Sequence, residues 1–487
     1  MLFNSLSFLC FLPTVFFLYW FVFRTRKMKN LLVLVCSYFF YGYWDWRFLI
    51  LIAVSSFVAF STAILDAESR RGKIRFWSPG LSLMTCVTVN LGILLVFKYY
   101  NFFYSQLTGL LTAFGIAFPE SAVKLVLPVG ISFYTFQALG YNIDVYRQKL
   151  EPSRDIVEFF AFISFFPQLV AGPIESANNL LTQFQKERRF DCADAVDGAR
   201  QMLWGFFKKC VVADNCGIIA NSTLNTASTP GGVWLGIFCF SLQIYGDFSG
   251  YSDIAIGTSR LFGIKLMRNF AFPYFSRNIG EFWRRWHISL NTWFKNYVYV
   301  PLGGSREGLA KQIRNTYVVF LLSGLWHGAN WTFIVWGLIH ATCFLPLLLS
   351  KNNRKYLDSP APNSFLPSWK EACSMLLTFG VVMLCWVFFR AENLTQAFSF
   401  LKMMAGGWGE TVSAGKPPWA VCRGELRCLF FFALPVLLGC EWINRGYEHA
   451  LERLPRSAVL RYSIYYALIL SCIFLRGQQQ SFIYFQF

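Results

Sequence analysis

The chain has 487 residues, of which 55% are hydrophobic and 19% aromatic, while only 14% are charged and the formal net charge is +18. Soluble domains carry charge on about a quarter of their residues, so this composition excludes a multidomain soluble enzyme and points to one polytopic membrane domain, residues 1–487. The basic excess does not signify nucleic acid, because it gathers in short loops between apolar spans, where it reports topology and, secondarily, contact with anionic lipid or an anionic cytosolic donor.

In chain order, the first apolar span, residues 2–23, has no basic residue before it and Arg24, Arg26, Lys27 and Lys29 after it. That is the reverse of a cleavable signal peptide and predicts a retained helix with its N-terminus outside. A second helix starting near Leu31 meets a third at Trp44-Asp45-Trp46-Arg47, an aromatic turn suited to the headgroup level. The third ends before Arg70, Arg71, Lys73 and Arg75, again a cytoplasmic loop. Further apolar spans cover 81–97, 125–143, 157–170, 202–213, 234–245, 317–325, 331–349, 375–389, 428–440 and 464–475. Several are short for a bilayer, which predicts re-entrant or broken helices packed on protein or around a cavity.

Between residues 276 and 314, Arg277, Arg284, Arg285, Lys295 and Arg306 interleave with Phe282, Trp283, Trp286, Trp293 and Phe294, the pattern of an amphipathic helix at the membrane surface. Residues 351–369 and 406–427 read as loops. Arg453, Arg456 and Arg461 place the side before the last span in the cytoplasm, so that both termini are expected outside. The tail, residues 476–487, closes with Ser481-Phe482-Ile483-Tyr484-Phe485-Gln486-Phe487, too aromatic for an inert solvated end. Fourteen scattered cysteines without a C-x-x-C pair support neither a zinc site nor a disulfide framework. No internal repeat is visible.

Four histidines occur, His287, His327, His340 and His449. His327 stands in Leu325-Trp326-His327-Gly328-Ala329-Asn330-Trp331, between two apolar stretches, where an ionisable group usually faces a cavity and marks a reaction or transport path. Desolvation there favours neutral imidazole, able to take a proton from a hydroxyl and return it, as acyl transfer to an alcohol requires. The plainer alternative is a hydrogen bond to a neighbouring helix. His287, in Trp286-His287-Ile288-Ser289, is balanced between function and a surface position. His340 is over three turns from His327 along a continuous helix, too far to share one small site, and His449 lies in a polar stretch that reads as a solvated face. Metal is disfavoured, since no H-x-x-H or H-E-x-x-H spacing occurs. The stretch Asp247-Phe248-Ser249-Gly250-Tyr251-Ser252-Asp253 has no nucleophile elbow and reads as a packed polar turn, with Asp247 and Asp253 able to orient a histidine.

The run from Arg284 through His287 to Leu302, followed by Leu325 to Trp336, resembles the membrane-bound O-acyltransferase family, in particular its bacterial alginate O-acetylation branch. Phe97-Lys98-Tyr99-Tyr100-Asn101-Phe102-Phe103, Leu127-Pro128-Val129-Gly130, Phe166-Pro167-Gln168-Leu169-Val170-Ala171-Gly172-Pro173 and the Asp247 to Asp253 stretch extend the resemblance over nearly the whole chain. It implies a bundle of roughly ten to twelve transmembrane helices, with re-entrant and interfacial helices around a central tunnel. It implies that His327 is catalytic and His287 the second site residue on the cytoplasmic side, with Trp326, Asn330, Asn296, Asp247 and Asp253 as tunnel or orienting residues. The donor is expected to be cytosolic acetyl coenzyme A, with no metal, in a bacterial inner-membrane protein. Tyr484 resembles the tail tyrosine that serves as transient acyl acceptor before an extracytoplasmic SGNH-type partner passes the group to a polysaccharide. A phenol of pKa near ~10 is easier to deprotonate than a sugar alcohol, and its ester transfers onward downhill.

Two rivals remain at this stage. A transporter or flippase would show two related halves with paired broken helices, which are not visible. Direct acylation of a lipid or protein would leave the tyrosine tail without a role.

Overall fold

The computed structural model describes residues 1–116, 119, 125–170, 172–225, 229–406 and 422–483, and among them every regular element is a helix. The chain separates into two compact units, residues 1–191 with 261–266, and residues 192–260 with 267–487. Five helices among the described residues are long and apolar enough to cross a membrane: Trp46–Arg70, Pro79–Ala113, Trp331–Leu349, Trp369–Arg390 and Arg423–Ile443. Shorter apolar helices are Leu6–Val22, Ile156–Leu169 and Ala458–Phe474.

In the first unit α1 (Leu6–Phe17), α2 (Arg26–Gly42), α3 (Leu49–Arg70), α4 (Pro79–Ala113), α5 (Ile131–Tyr146), α6 (Ile156–Ser164), α7 (Phe166–Leu169) and α8 (Ala177–Phe184) follow one another. Apolar side chains alone do not specify helix contacts in lipid, so polar pairs do part of that work. Thr62 Oγ1 donates to Asn142 Oδ1 at 2.9 Å, and Asn142 Nδ2 donates to the Ala59 carbonyl at 3.0 Å, tying α3 to α5. The 157–170 span is broken, as its short length predicts. Phe165 separates α6 from α7, and the freed Phe166 N–H donates to buried Ser37 Oγ at 3.0 Å. α4 runs far past the predicted 81–97, to 35 residues.

The second unit is built around a rod formed by α9 (Cys192–Phe206), a π-helical segment (Phe207–Ala213) and α10 (Asp214–Asn225), packed on the 32-residue α11 (Pro230–Leu261). Glycines make the approach possible: a Cβ on Gly205 would meet the Gly250 carbonyl at 2.6 Å, and one on Gly250 the Gly205 carbonyl at 2.8 Å. The expected polar turn at Asp247 to Asp253 is instead the buried middle of α11. Its acids face the lysines of the π-helical segment, so a helix that a hydropathy reading ends at Tyr245 continues for four more turns.

The segment expected as one surface amphipathic helix is also different. It folds as α12 (Ile279–Arg285) and α13 (Ile288–Phe294), with Phe282, Trp283, Trp286 and His287 buried. Arg277 donates to the buried Glu281 carboxylate at 3.0 Å, so its charge is balanced inside the protein rather than displayed at a surface. From Lys295 onward exposed side chains take over. α14 (Leu309–His327) and α15 (Trp331–Leu349) form a tight hairpin, followed by α16 (Trp369–Arg390), α17 (Leu394–Ala405), α18 (Arg423–Cys428), the π-helical turn Leu429–Ala433, α19 (Leu434–Ile443) and α20 (Ala458–Phe474).

Candidate active site

His327 is the last residue of α14, where Gly328 turns the chain into extended backbone before α15 begins. Gly328 is compelled by packing, since a Cβ there would run into the Phe333 ring. The imidazole is 4% exposed and set edge-on among three rings: Trp326 at 5.0 Å, Trp336 at 5.1 Å and Phe389 at 5.1 Å between centroids. Water is thus largely excluded from around the ring.

His287 stands at the corner between α12 and α13 with φ of 47°, left-handed backbone that a residue with a Cβ holds only when its surroundings impose it. The imposition comes from Asn269, which is fully buried. The Asn269 carbonyl accepts the Ile288 N–H at 2.9 Å, and its side-chain Oδ1 receives Ser289 Oγ at 2.9 Å, the Ser289 N–H at 3.3 Å and His287 Nδ1 at 3.2 Å. The amide's other end donates to Ser252 Oγ at 3.2 Å, which fixes its orientation. Because Oδ1 accepts, His287 carries its proton on Nδ1, and Nε2 presents a lone pair. Trp326 lies between the two histidines, 5.6 Å from the His287 ring and 5.0 Å from that of His327.

The remaining expected site residues have varied places. Asn330 is the N-cap of α15: its Oδ1 accepts the Thr332 N–H at 3.0 Å, while Nδ2 donates to the Glu392 carbonyl at 2.6 Å. Asn296 lies exposed on the π-helical turn Lys295–Tyr299. Asp253 pairs with Lys208 at 2.5 Å and accepts from Gln201 at 2.9 Å. Asp247 pairs with Lys209 at 2.8 Å. These carboxylates bond lysines, whereas the amide of Asn269 bonds His287. Tyr484 falls outside the described residues, but the chain leading to it does not. Phe482 and Ile483 are buried, Phe482 packs on Tyr251 at 4.3 Å, and the Ile483 N–H donates to Asp247 Oδ2 at 2.7 Å. Phe248, 6.2 Å from Phe482, packs edge-on to His287 at 4.7 Å. A line of ring contacts therefore joins the tail to both histidines.

His340 is separated from His327 by Trp336, which contacts each ring, and its Nδ1 accepts from Trp283 Nε1 at 3.3 Å. His449 is not on a solvated face: it is 2% exposed and paired with Asp197 at 3.1 Å. Sequence reasoning missed Asn269, for which no signal stood out, and Lys208 and Lys209, for which one did. Two lysines inside the span 202–213 are titratable groups at membrane depth, the same feature that drew attention to His327. No group of three or more potential metal ligands is found among the described residues.

Buried histidines at helix ends, a water-poor aromatic pocket and a tail bound beside it define a membrane enzyme for group transfer. The family model of MBOAT, the membrane-bound O-acyltransferase family, matches residues 145–388, and the chain belongs to that family. It is therefore an O-acyltransferase. It is 39% identical over 413 residues to a probable alginate O-acetylase of Azotobacter vinelandii, covering 84% of this chain and 79% of that protein. It is 34% identical over 441 residues to a peptidoglycan O-acetyltransferase of Helicobacter pylori, covering 83% and 80%. Over 275 residues it is 30% identical to a teichoic acid D-alanyltransferase of Bacillus subtilis, covering 53% and 67%.

Proposed function

We propose that this enzyme takes an acetyl group from cytosolic acetyl coenzyme A and passes it through a bacterial inner membrane for O-acetylation of an extracytoplasmic polysaccharide, such as alginate or peptidoglycan. The relatives' names support a polysaccharide acceptor, and the observation that carries the relay is the tail, which enters the unit holding both histidines and is hydrogen-bonded there as far as Ile483.

In this mechanism a neutral ring nitrogen of His327 accepts the Tyr484 phenol proton as the phenolate oxygen attacks the thioester carbonyl. The C–S bond breaks, the proton returns to the leaving thiolate, and free coenzyme A and an aryl acetate remain. His287, with its proton held on Nδ1, receives at Nε2 a hydrogen bond from the donor or the phenol and aligns it. An SGNH-type partner outside then moves the acetyl group to a sugar hydroxyl. Purified protein given radiolabelled acetyl coenzyme A is expected to acquire label on Tyr484, and His327→Ala to acquire none. Equal labelling of the two would overturn the mechanism.

A further inference from the structure

The tail from Leu475 to Ile483 is not laid over the surface but threaded along the π-helical segment. The Gly477 N–H donates to the Cys210 carbonyl at 3.0 Å, and Asn215 Nδ2 donates to the Leu475 carbonyl at 2.9 Å. Further on, one buried ion cluster makes three of the tail's polar contacts. Lys209 Nζ, 2.9 Å from Asp214 and 2.8 Å from Asp247, also donates to the Gln480 carbonyl at 3.1 Å. Asp214 Oδ1 accepts the Gln480 N–H at 3.2 Å, and Asp247 Oδ2 accepts the Ile483 N–H at 2.7 Å.

All three charged side chains are at most 3% exposed. A buried ion pair is weak evidence of stability, since apolar replacements often do as well, so a cluster kept at this depth invites a reason other than stability. The contacts supply one. Each charged group also hydrogen-bonds the backbone of the tail, and backbone contacts fix register without regard to side chain. In extended chain a slip of one residue moves every side chain by about 3.3 Å and turns it to the opposite face.

We propose that Lys209, Asp214 and Asp247 are positioning residues: they dock the tail in one register, so that the residue following Ile483 is delivered to the histidine pocket. Phe482, seated against Tyr251 and Phe248, is the apolar half of the same dock. This rests on the relay through Tyr484 proposed above, and concerns how the phenol is placed rather than whether it is acylated.

The test separates the two ideas by reading amide hydrogen exchange across residues 478–483 and label on Tyr484 in the same detergent-purified protein. In Asp247→Ala the Ile483 amide is expected to exchange at least 100-fold faster and Tyr484 labelling to fall at least tenfold, while Asp247→Asn, which keeps an acceptor for that amide, recovers most of both. A single glycine inserted after Gln480 leaves the ion cluster whole and is expected to abolish labelling in a folded protein, which guards against misfolding of the Asp247 variants. Exchange in Asp247→Ala as slow as in the parent, or full labelling of the insertion variant, overturns the dock. If the parent takes no label on Tyr484 while its Ile483 amide is protected and Asp247→Ala loses that protection, the dock stands and the relay fails.

Discussion

Replacing Asn269 by leucine keeps the branching of a fully buried side chain and removes its polar atoms. Three donors then lose their acceptor: His287 Nδ1, the Ser289 N–H and Ser289 Oγ. The serine hydroxyl can rotate to another partner, whereas the ring and backbone N–H groups cannot. Each orphaned buried donor costs about 1–3 kcal/mol, so Asn269→Leu is expected to lose about 2–6 kcal/mol of stability. In the mechanism proposed above the His287 share bears on the reaction as well, because Nδ1 then loses the amide oxygen that receives its proton. A loss of about 1–3 kcal/mol in the transition state corresponds to roughly 5- to 150-fold in rate. Single-turnover release of coenzyme A thiol, measured beside thermal unfolding in detergent, reads both. Asn269→Asp, which keeps the acceptor, is expected to retain far more activity than the leucine variant. An Asn269→Leu enzyme with the parent's single-turnover rate would refute the claim that this amide sets the tautomer of His287.

Other expectations follow from the same contacts. His340→Phe is expected to cost about 1–3 kcal/mol, from the Trp283 indole left without its acceptor, while Tyr484 labelling persists, unlike in His327→Ala. Lys208→Met, which strands Asp253, is expected to destabilise by about 3–5 kcal/mol, and the double variant Lys208→Met with Asp253→Leu to recover most of that in thermal unfolding. Gly205→Val pushes a side chain against the Gly250 carbonyl and is expected to lower the unfolding temperature through about 1–3 kcal/mol of overpacking, with no such effect at Gly92, where nothing lies within 4 Å of an added Cβ.

The legible parts of this protein were those whose signal is local. Trp331–Leu349 could be placed to the residue because its outer face is apolar, and His327 stood out because the stretches around it are lipid-like. α11 was cut short for the converse reason: its polar residues are solvated by another helix, and a single sequence does not show which one. The same blindness turned Arg277 to Trp286 into a surface helix, since Glu281 as a buried counter-ion looks no different in sequence from an exposed one. Asn269 was beyond reach, an ordinary asparagine made important by Ser252, His287 and Ser289, which only the fold gathers.

The tail contacts also bear on the order in which the enzyme comes into being. Lys209 and the Gln480 carbonyl are 271 positions apart, and Ile483 and Asp247 are 236 apart. Translation proceeds at about 5–20 residues per second, so the ion cluster waits through the synthesis and insertion of every later helix before its last ligands emerge. A nascent chain halted short of Gln480 would hold both histidines and no tail in the dock. Assembly of the tail dock is thereby coupled to synthesis through residue 483.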